Sequence, residues 1–282
     1  MASNWVKLVT VGFIIIWRII MQFTEKPVYG FEDLIEIVKI LRAPDGCPWD
    51  REQTHESIRR DFIEEVCEAV EAINEGNTEH LREELGDVLF QVAFHAELEE
   101  EKGNYDLDSV ADGVVKKLIL RHPHVFGEVT VSGADEVLKN WDDIKRKEKS
   151  QSTAAEAMDS VARTLPALWR AEKVSKKAAK AGFDWEKPGD IADKLREELR
   201  ELEAALSGEG DVFEEVGDIL FTAANIARKL KIDPEEALNA STDKFIARFS
   251  KTEAAAIEAG RDLKELSPDE QNQLWERAKK SI

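Results

Sequence analysis

Residues 83–90 read EELGDVLF, and residues 214–221 read EEVGDILF. An octapeptide that recurs almost unchanged in a chain of 282 residues points to an internal repeat. Working outward extends it. Upstream of the first copy lies EEVCE at 64–68; upstream of the second lies EELRE at 197–201. Downstream, Lys117 and Arg121 stand four residues apart, as do Lys244 and Arg248. Further on, Trp141 sits in LKNWDDIK and Trp275 in NQLWERAK. The separations are 133 for Glu65 to Glu198, 131 for Asp87 to Asp218, 127 for Lys117 to Lys244 and 134 for Trp141 to Trp275. Four ordered matches at a near-constant offset mean duplication. The chain is therefore expected to hold two related domains, 28–148 and 160–282, with a linker at 149–159.

The pattern is helical from about Phe31 onward. Apolar residues recur at three- and four-residue steps, as in Ile58, Phe62, Val66, Ala69 and Ile73. Gly (15) and Pro (8) are scarce, which disfavours a fold built on many tight turns. Breaks are predicted at 43–50, 74–78, 102–106, 122–134, 150–153, 182–190, 207–211 and 267–269. Only HVFGEVTVSG, at 124–133, reads as a short strand or hairpin.

Glu65 and Glu68 are one helical turn apart and share a face. Glu84 and Asp87 repeat that spacing after the polar turn NEGNT. Helices joined by so short a turn pack antiparallel, which lets the two acidic faces meet. The second helix then runs VLFQVAFHA, apolar except for Gln91 and His95, which continue the face of Glu84 and Asp87. In the later copy, Thr222 and Asn225 continue the face of Glu215 and Asp218. A polar stripe in a buried helix needs partners. Four carboxylates brought together repel and hold protons unless a cation relieves them. All-oxygen ligation suits Mg²⁺, with Mn²⁺ as a substitute. Glu52 and His55 form one ExxH, but it has no second copy, so a di-iron site is not supported. The repeated basic pairs suit a polyphosphate beside metal-held carboxylates. Trp141 and Trp275 suit either a base or the core. Lys194 shares a face with Glu198, whereas its counterpart by position is Asp61.

The formal charge of −19 excludes a general nucleic-acid binder and argues against an anionic membrane surface. No P-loop, GxSxG or CxxC is present. Two cysteines, Cys47 and Cys67, give no disulfide framework and suggest the cytoplasm. The apolar run VKLVTVGFIIIWRIIM at 6–21 carries Lys7 and Arg18 and is short for a span, which takes about 20 residues. Residues 1–27 are therefore expected to be an extension outside the fold, as from an upstream start with Met21 the real one, with a signal anchor as the less favoured alternative.

These residues resemble the MazG family of tandem-domain nucleoside triphosphate pyrophosphohydrolases. The resemblance rests on the duplicated EExxE…ExGD with KxxxR and a late Trp, and on GCPWDREQTHES (46–57), RHPHVFGE (121–128), LPALWRAEKVSKKAAKAGFDW (165–185) and DKFIARF (243–249). It implies an all-α fold of two four-helix-bundle-like domains, a homodimer, and Mg²⁺-dependent cleavage of nucleoside triphosphates to monophosphate and pyrophosphate. It implies metal ligands at Glu198, Glu201, Glu215 and Asp218, matched by Glu65, Glu68, Glu84 and Asp87. Glu198, Glu201 and Lys194 would be catalytic. Lys194, Asn225, Lys244, Arg248 and Trp275 would bind the nucleotide, with Lys117, Arg121 and Trp141 as first-copy counterparts. Two rival readings stay open: an acidic helical dimer that only binds a protein, and a hydrolase specialised for one nucleotide such as dUTP.

Overall fold

In the computed structural model, the described residues are 23–134, 136–137, 140–141, 144, 148 and 153–281. The apolar run at 6–21 lies outside them. Among the described residues there are twelve α-helices, one short 3-10 turn and no strand. The chain divides into two compact units, Met1–Leu138 and Lys139–Ile282. No described helix is long and apolar enough to cross a membrane. Cys47 and Cys67 are both free thiols.

The first unit holds α1 (Phe31–Arg42), α2 (Pro48–Glu52), α3 (His55–Glu75), α4 (Thr78–Glu100), α5 (Leu107–Arg121) and α6 (Pro123–Phe126). α3 begins where Thr54 accepts a hydrogen bond from the Ser57 amide, and it ends at Gly76. Gly76 adopts φ +66°, the left-handed conformation that glycine enters without a Cβ clash. Asn77 then caps α4 by accepting from the His80 amide. Two residues thus reverse the chain, and α3 packs along α4 as an antiparallel hairpin. α1 lies on α4, and Val38, Ile58, Ala93, Phe94 and Leu98 form the buried core between them.

α5 is different. It is capped by Asp106, yet none of its residues is buried. Val110, Val114, Val115, Leu118, Ile119 and Leu120 remain 40–55% exposed. The strand expected at 124–133 is not formed. His122 and Pro123 start the short helix α6 instead: proline at the first helical position lacks only an amide that would go unused there. The amides of Val125 and Phe126 donate to the His122 carbonyl, and the remainder is bends and irregular backbone.

The second unit holds α7 (Ala154–Asp159), α8 (Ala167–Lys180), α9 (Pro188–Leu206), α10 (Val212–Leu230), α11 (Pro234–Glu258) and α12 (Pro268–Lys279). α9 and α10 repeat the hairpin of α3 and α4, turning through Gly208 and Gly210 at φ +98° and +139°. α8 packs on α10 as α1 packs on α4. α11 starts at Asp233, which caps Glu235 and Glu236 and accepts from the indole of Trp169 on α8. α11 and α12 form a further packed pair.

Candidate functional site

The hairpins bring the carboxylates together. In the first unit Glu65 from α3 meets Glu84 and Asp87 from α4, one oxygen of each lying within 4.8 Å of the others. In the second, Glu198 and Glu201 from α9 meet Glu215 from α10 within the same 4.8 Å. Two positions are shared by both sets: the second Glu of EExxE and the Glu of ExGD. The fourth member differs. Glu68 and Asp218 are exposed and lie outside these sets, although each acts through its charge on a member, Glu68 on Glu65 and Asp218 on Glu215. Glu84 and Glu198 are the buried members.

Their electrostatics suit a bound cation. Burial, then the charges of Asp87, Glu68 and Glu84, push the Glu65 carboxyl above the usual range. Burial, then Glu198 and Asp218, do the same to Glu215. The neighbouring Glu198 carboxyl, then burial, raises the Glu201 carboxyl above the usual range. A divalent ion bound among these carboxylates would relieve their repulsion. The donors of the second set are all carboxylate oxygens, which fits Mg²⁺.

The two copies differ in what stands beside the carboxylates. In the second unit Lys194 lies 2.7 Å from Glu197 and 3.0 Å from Glu198, and these bonds hold its ammonium above the ordinary lysine range. In the first unit Asp61 takes that place and raises Glu65 further. An imidazole approaches instead: His80 Nε2 lies 3.0 Å from Glu84. Nothing in the sequence pattern singled out His80, because helix caps and turn exits are often polar.

The polar stripes are both buried, with different fates. Gln91 is buried, and its Oε1 finds no partner. Thr222 is buried, and Asn225 is fully enclosed. Asn225 donates to the Phe221 carbonyl and accepts from Arg228 Nε, and Arg228 in turn pairs with Asp184. The structure thus gives Asn225 structural partners. His95 pairs with His55, 40 residues away, Nδ1 to Nδ1 at 2.7 Å. His55 Nε2 lies 2.7 Å from Glu99. The lone His in an apolar helix was the available signal, but its partner was not readable from spacing.

Among the described residues no ion pair links Lys117, Lys244 or Arg248 to either set. Arg248 Nε is buried and finds no partner. Trp275 is half-buried, with its ring centroid 5.2 Å from that of Phe245 on α11. Trp141 is half-buried and falls on the second unit's side of the division after Leu138.

A comparison with protein families matches the MazG nucleotide pyrophosphohydrolase domain at residues 53–126 and again at 187–252. The first segment contains Glu65 through Arg121 and the second Lys194 through Arg248, so the duplicated acids and basic pairs fall inside the matched segments. Among curated proteins, the chain is 42% identical over 249 residues to the nucleoside triphosphate pyrophosphohydrolase/pyrophosphatase MazG of Thermotoga maritima, covering 88% of this chain and 95% of that protein. It is 37% identical over 252 residues to the nucleoside triphosphate pyrophosphohydrolase of Escherichia coli strain K12, covering 88% and 96%. It is also 47% identical to the uncharacterized protein YabN of Bacillus subtilis, of which it spans 53%.

Proposed function

The chain belongs to the MazG nucleotide pyrophosphohydrolase family, and from that premise we propose that it hydrolyses nucleoside triphosphates at the α–β bond, giving a monophosphate and pyrophosphate. The observation that carries this reading is the carboxylate set built twice by equivalent hairpins. Glu198, Glu201, Glu215 and Asp218 would hold Mg²⁺ in the second unit, and Glu65, Glu68, Glu84 and Asp87 in the first. When bound, Mg²⁺ supplies charge neutralisation for the triphosphate and acidifies a water placed for in-line attack.

The protein's own part follows from its groups. Glu201, whose carboxyl is raised beside Glu198, would take the proton of the attacking water. Lys194 fixes the Glu198 carboxylate and adds positive charge on the side from which a phosphate would come. Lys244 and Arg248 would meet the leaving pyrophosphate, Arg248 with a buried donor still to be satisfied. Lys117, Arg121 and Trp141 would serve the first copy in the same way. We take each copy as one four-helix-bundle-like domain, 28–148 and 160–282, and the chain as a homodimer. The apolar sides of α5 and α11 support the dimer, because they are exposed in the single chain.

Release of pyrophosphate from a nucleotide mixture, with Mg²⁺ and with EDTA, tests the activity. With the first site disabled by Glu65→Gln, either Glu198→Gln or Asp218→Asn is expected to lower turnover by about 100-fold or more. Unchanged turnover in both would remove the site assignment. Release that is equally fast in EDTA would remove the metal.

A further inference from the structure

The residues one helical turn before the carboxylates are exchanged between the two copies. Lys194 precedes Glu198 by four residues, and Asp61 precedes its counterpart Glu65. His80 precedes Glu84 by four residues, and Asp211 precedes its counterpart Glu215. Each hairpin thus has one nitrogen donor and one acid at this register, on opposite helices. The donor stands on α9 in the second unit and on α4 in the first. The buried carboxylate moves with it: Glu198 on α9, Glu84 on α4. The facing Glu215 and Glu65 are half-buried.

The two contacts match in detail. Lys194 Nζ lies 3.0 Å from Glu198 Oε1, with the side chains 35% and 5% exposed. His80 Nε2 lies 3.0 Å from Glu84 Oε1, with the side chains 34% and 10% exposed. A carboxylate that leaves water needs a donor in exchange. A carboxylate that ligates a cation is ionised and only accepts, so Nε2 is the ring nitrogen that carries a hydrogen toward Glu84. The other ring nitrogen, Nδ1, faces Glu75 at the end of α3, 3.7 Å away. The two acids of the exchange do other work. Asp211 caps α10 by accepting from the Phe213 amide, and Asp61 puts its charge beside Glu65.

We propose that His80 is the positioning residue of the first copy's divalent-cation site, holding Glu84 there as Lys194 holds Glu198 in the second. The inference rests on the metal reading of the carboxylate sets above and deepens it. With Asp61 in the place of Lys194, the first copy reads as a set that has lost its donor. The exchange at His80 returns a donor from the facing helix, so the first copy is a complete site. Partners that stand behind a ligand fix its orientation, and removing one costs about 10- to 100-fold in metal affinity.

The test uses the full chain carrying Glu198→Gln and Glu201→Gln, which leaves the first set alone. Mn²⁺ is the probe ion, and its free fraction is read by electron paramagnetic resonance. This starting chain is expected to bind Mn²⁺, and Glu65→Gln in the same background to abolish that binding. His80→Leu is expected to weaken it by about 10- to 100-fold, and His80→Lys to keep it. Adding Asp61→Lys to His80→Leu is expected to return the binding, because the donor then stands where Lys194 stands in the second unit. His80 is half-exposed in the first turn of α4, and the urea midpoint of each variant separates lost folding from lost positioning. Mn²⁺ affinity unchanged by His80→Leu overturns the proposal. So does a loss that neither lysine returns, or a starting chain that binds no Mn²⁺. Binding is read without turnover. Absent pyrophosphate release from the unaltered chain would remove the hydrolase activity, while the order of Mn²⁺ affinities still decides the part of His80.

Discussion

Between His55 Nδ1 and His95 Nδ1, 2.7 Å apart, there is room for one proton and no more. Glu99 sets which nitrogen keeps which hydrogen. Hydrogen bonds from Lys102, Asn104 and His55 hold its carboxyl down at about 2, so it is ionised and accepts a hydrogen bond from His55 Nε2–H. Burial first, and His55 second, lower the proton affinity of His95. The unfolded chain, in which a histidine titrates near about 6.5, therefore binds that proton more readily than the fold does. The contribution of His95 is complete above about pH 6.5 and falls away as pH drops through its lowered value. The urea midpoint of the first unit is expected to fall between about pH 7.5 and about pH 5.5, with a smaller fall in His95→Leu. An equal fall in both chains would place the titration elsewhere. The pair also marks where sequence reading stops at this scale. His95 was legible as an anomaly in an apolar helix. Its partner, 40 residues away, depends on how α3 and α4 register, and spacing along one chain does not carry that. The same limit separates four acids in a motif from the three that converge, because helix crossing selects Asp87 in one unit and Glu201 in the other.

At the scale of elements, the hairpin of α3 and α4 contains two glycines whose replacement should have opposite effects. Gly76 sits at φ +66°, with open space where a Cβ would go, so Gly76→Ala costs only the left-handed backbone, about 1 kcal/mol. Gly86 lies inside α4 at an ordinary φ, also with open space at its Cβ position, so Gly86→Ala is expected to stabilise by about 1 kcal/mol through helix propensity. Urea denaturation of both variants reads both signs. A loss for Gly86→Ala would mean that the open space is occupied in solution. Most elements were legible because their ends carry their own chemistry: Thr54, Asn77, Asp106 and Ser267 all cap as their residue types suggest. The two short helices were not legible. α2 and α6 each open on a proline after a loop, and a proline in a Gly-containing stretch reads equally well as a turn. At 124–133 the β-branched residues pointed to a strand, but no neighbouring strand exists among the described residues to pair with one.

The whole molecule leaves many large apolar side chains uncovered. They lie along α3, α5, α10 and α11, and on α11 Phe245, Ile246 and Phe249 are 43–55% exposed. A free surface of that kind is rare in a monomer that stays in solution. The chain of 31.8 kDa is expected to run at twice its mass in sedimentation at micromolar concentration, and Val115→Asp is expected to shift it toward the monomer. A single species of one-chain mass in the unaltered protein would exclude the dimer. α5 has a further consequence. A fifteen-residue helix that buries none of its side chains is marginal in water by itself. If a second copy covers it, its persistence would obey mass action: on dilution, residues 107–121 would unwind while the α3–α4 hairpin stays intact. Helicity in the proposed dimer would then be a function of concentration, and two laboratories working at different dilutions would record different secondary structure from the same sequence.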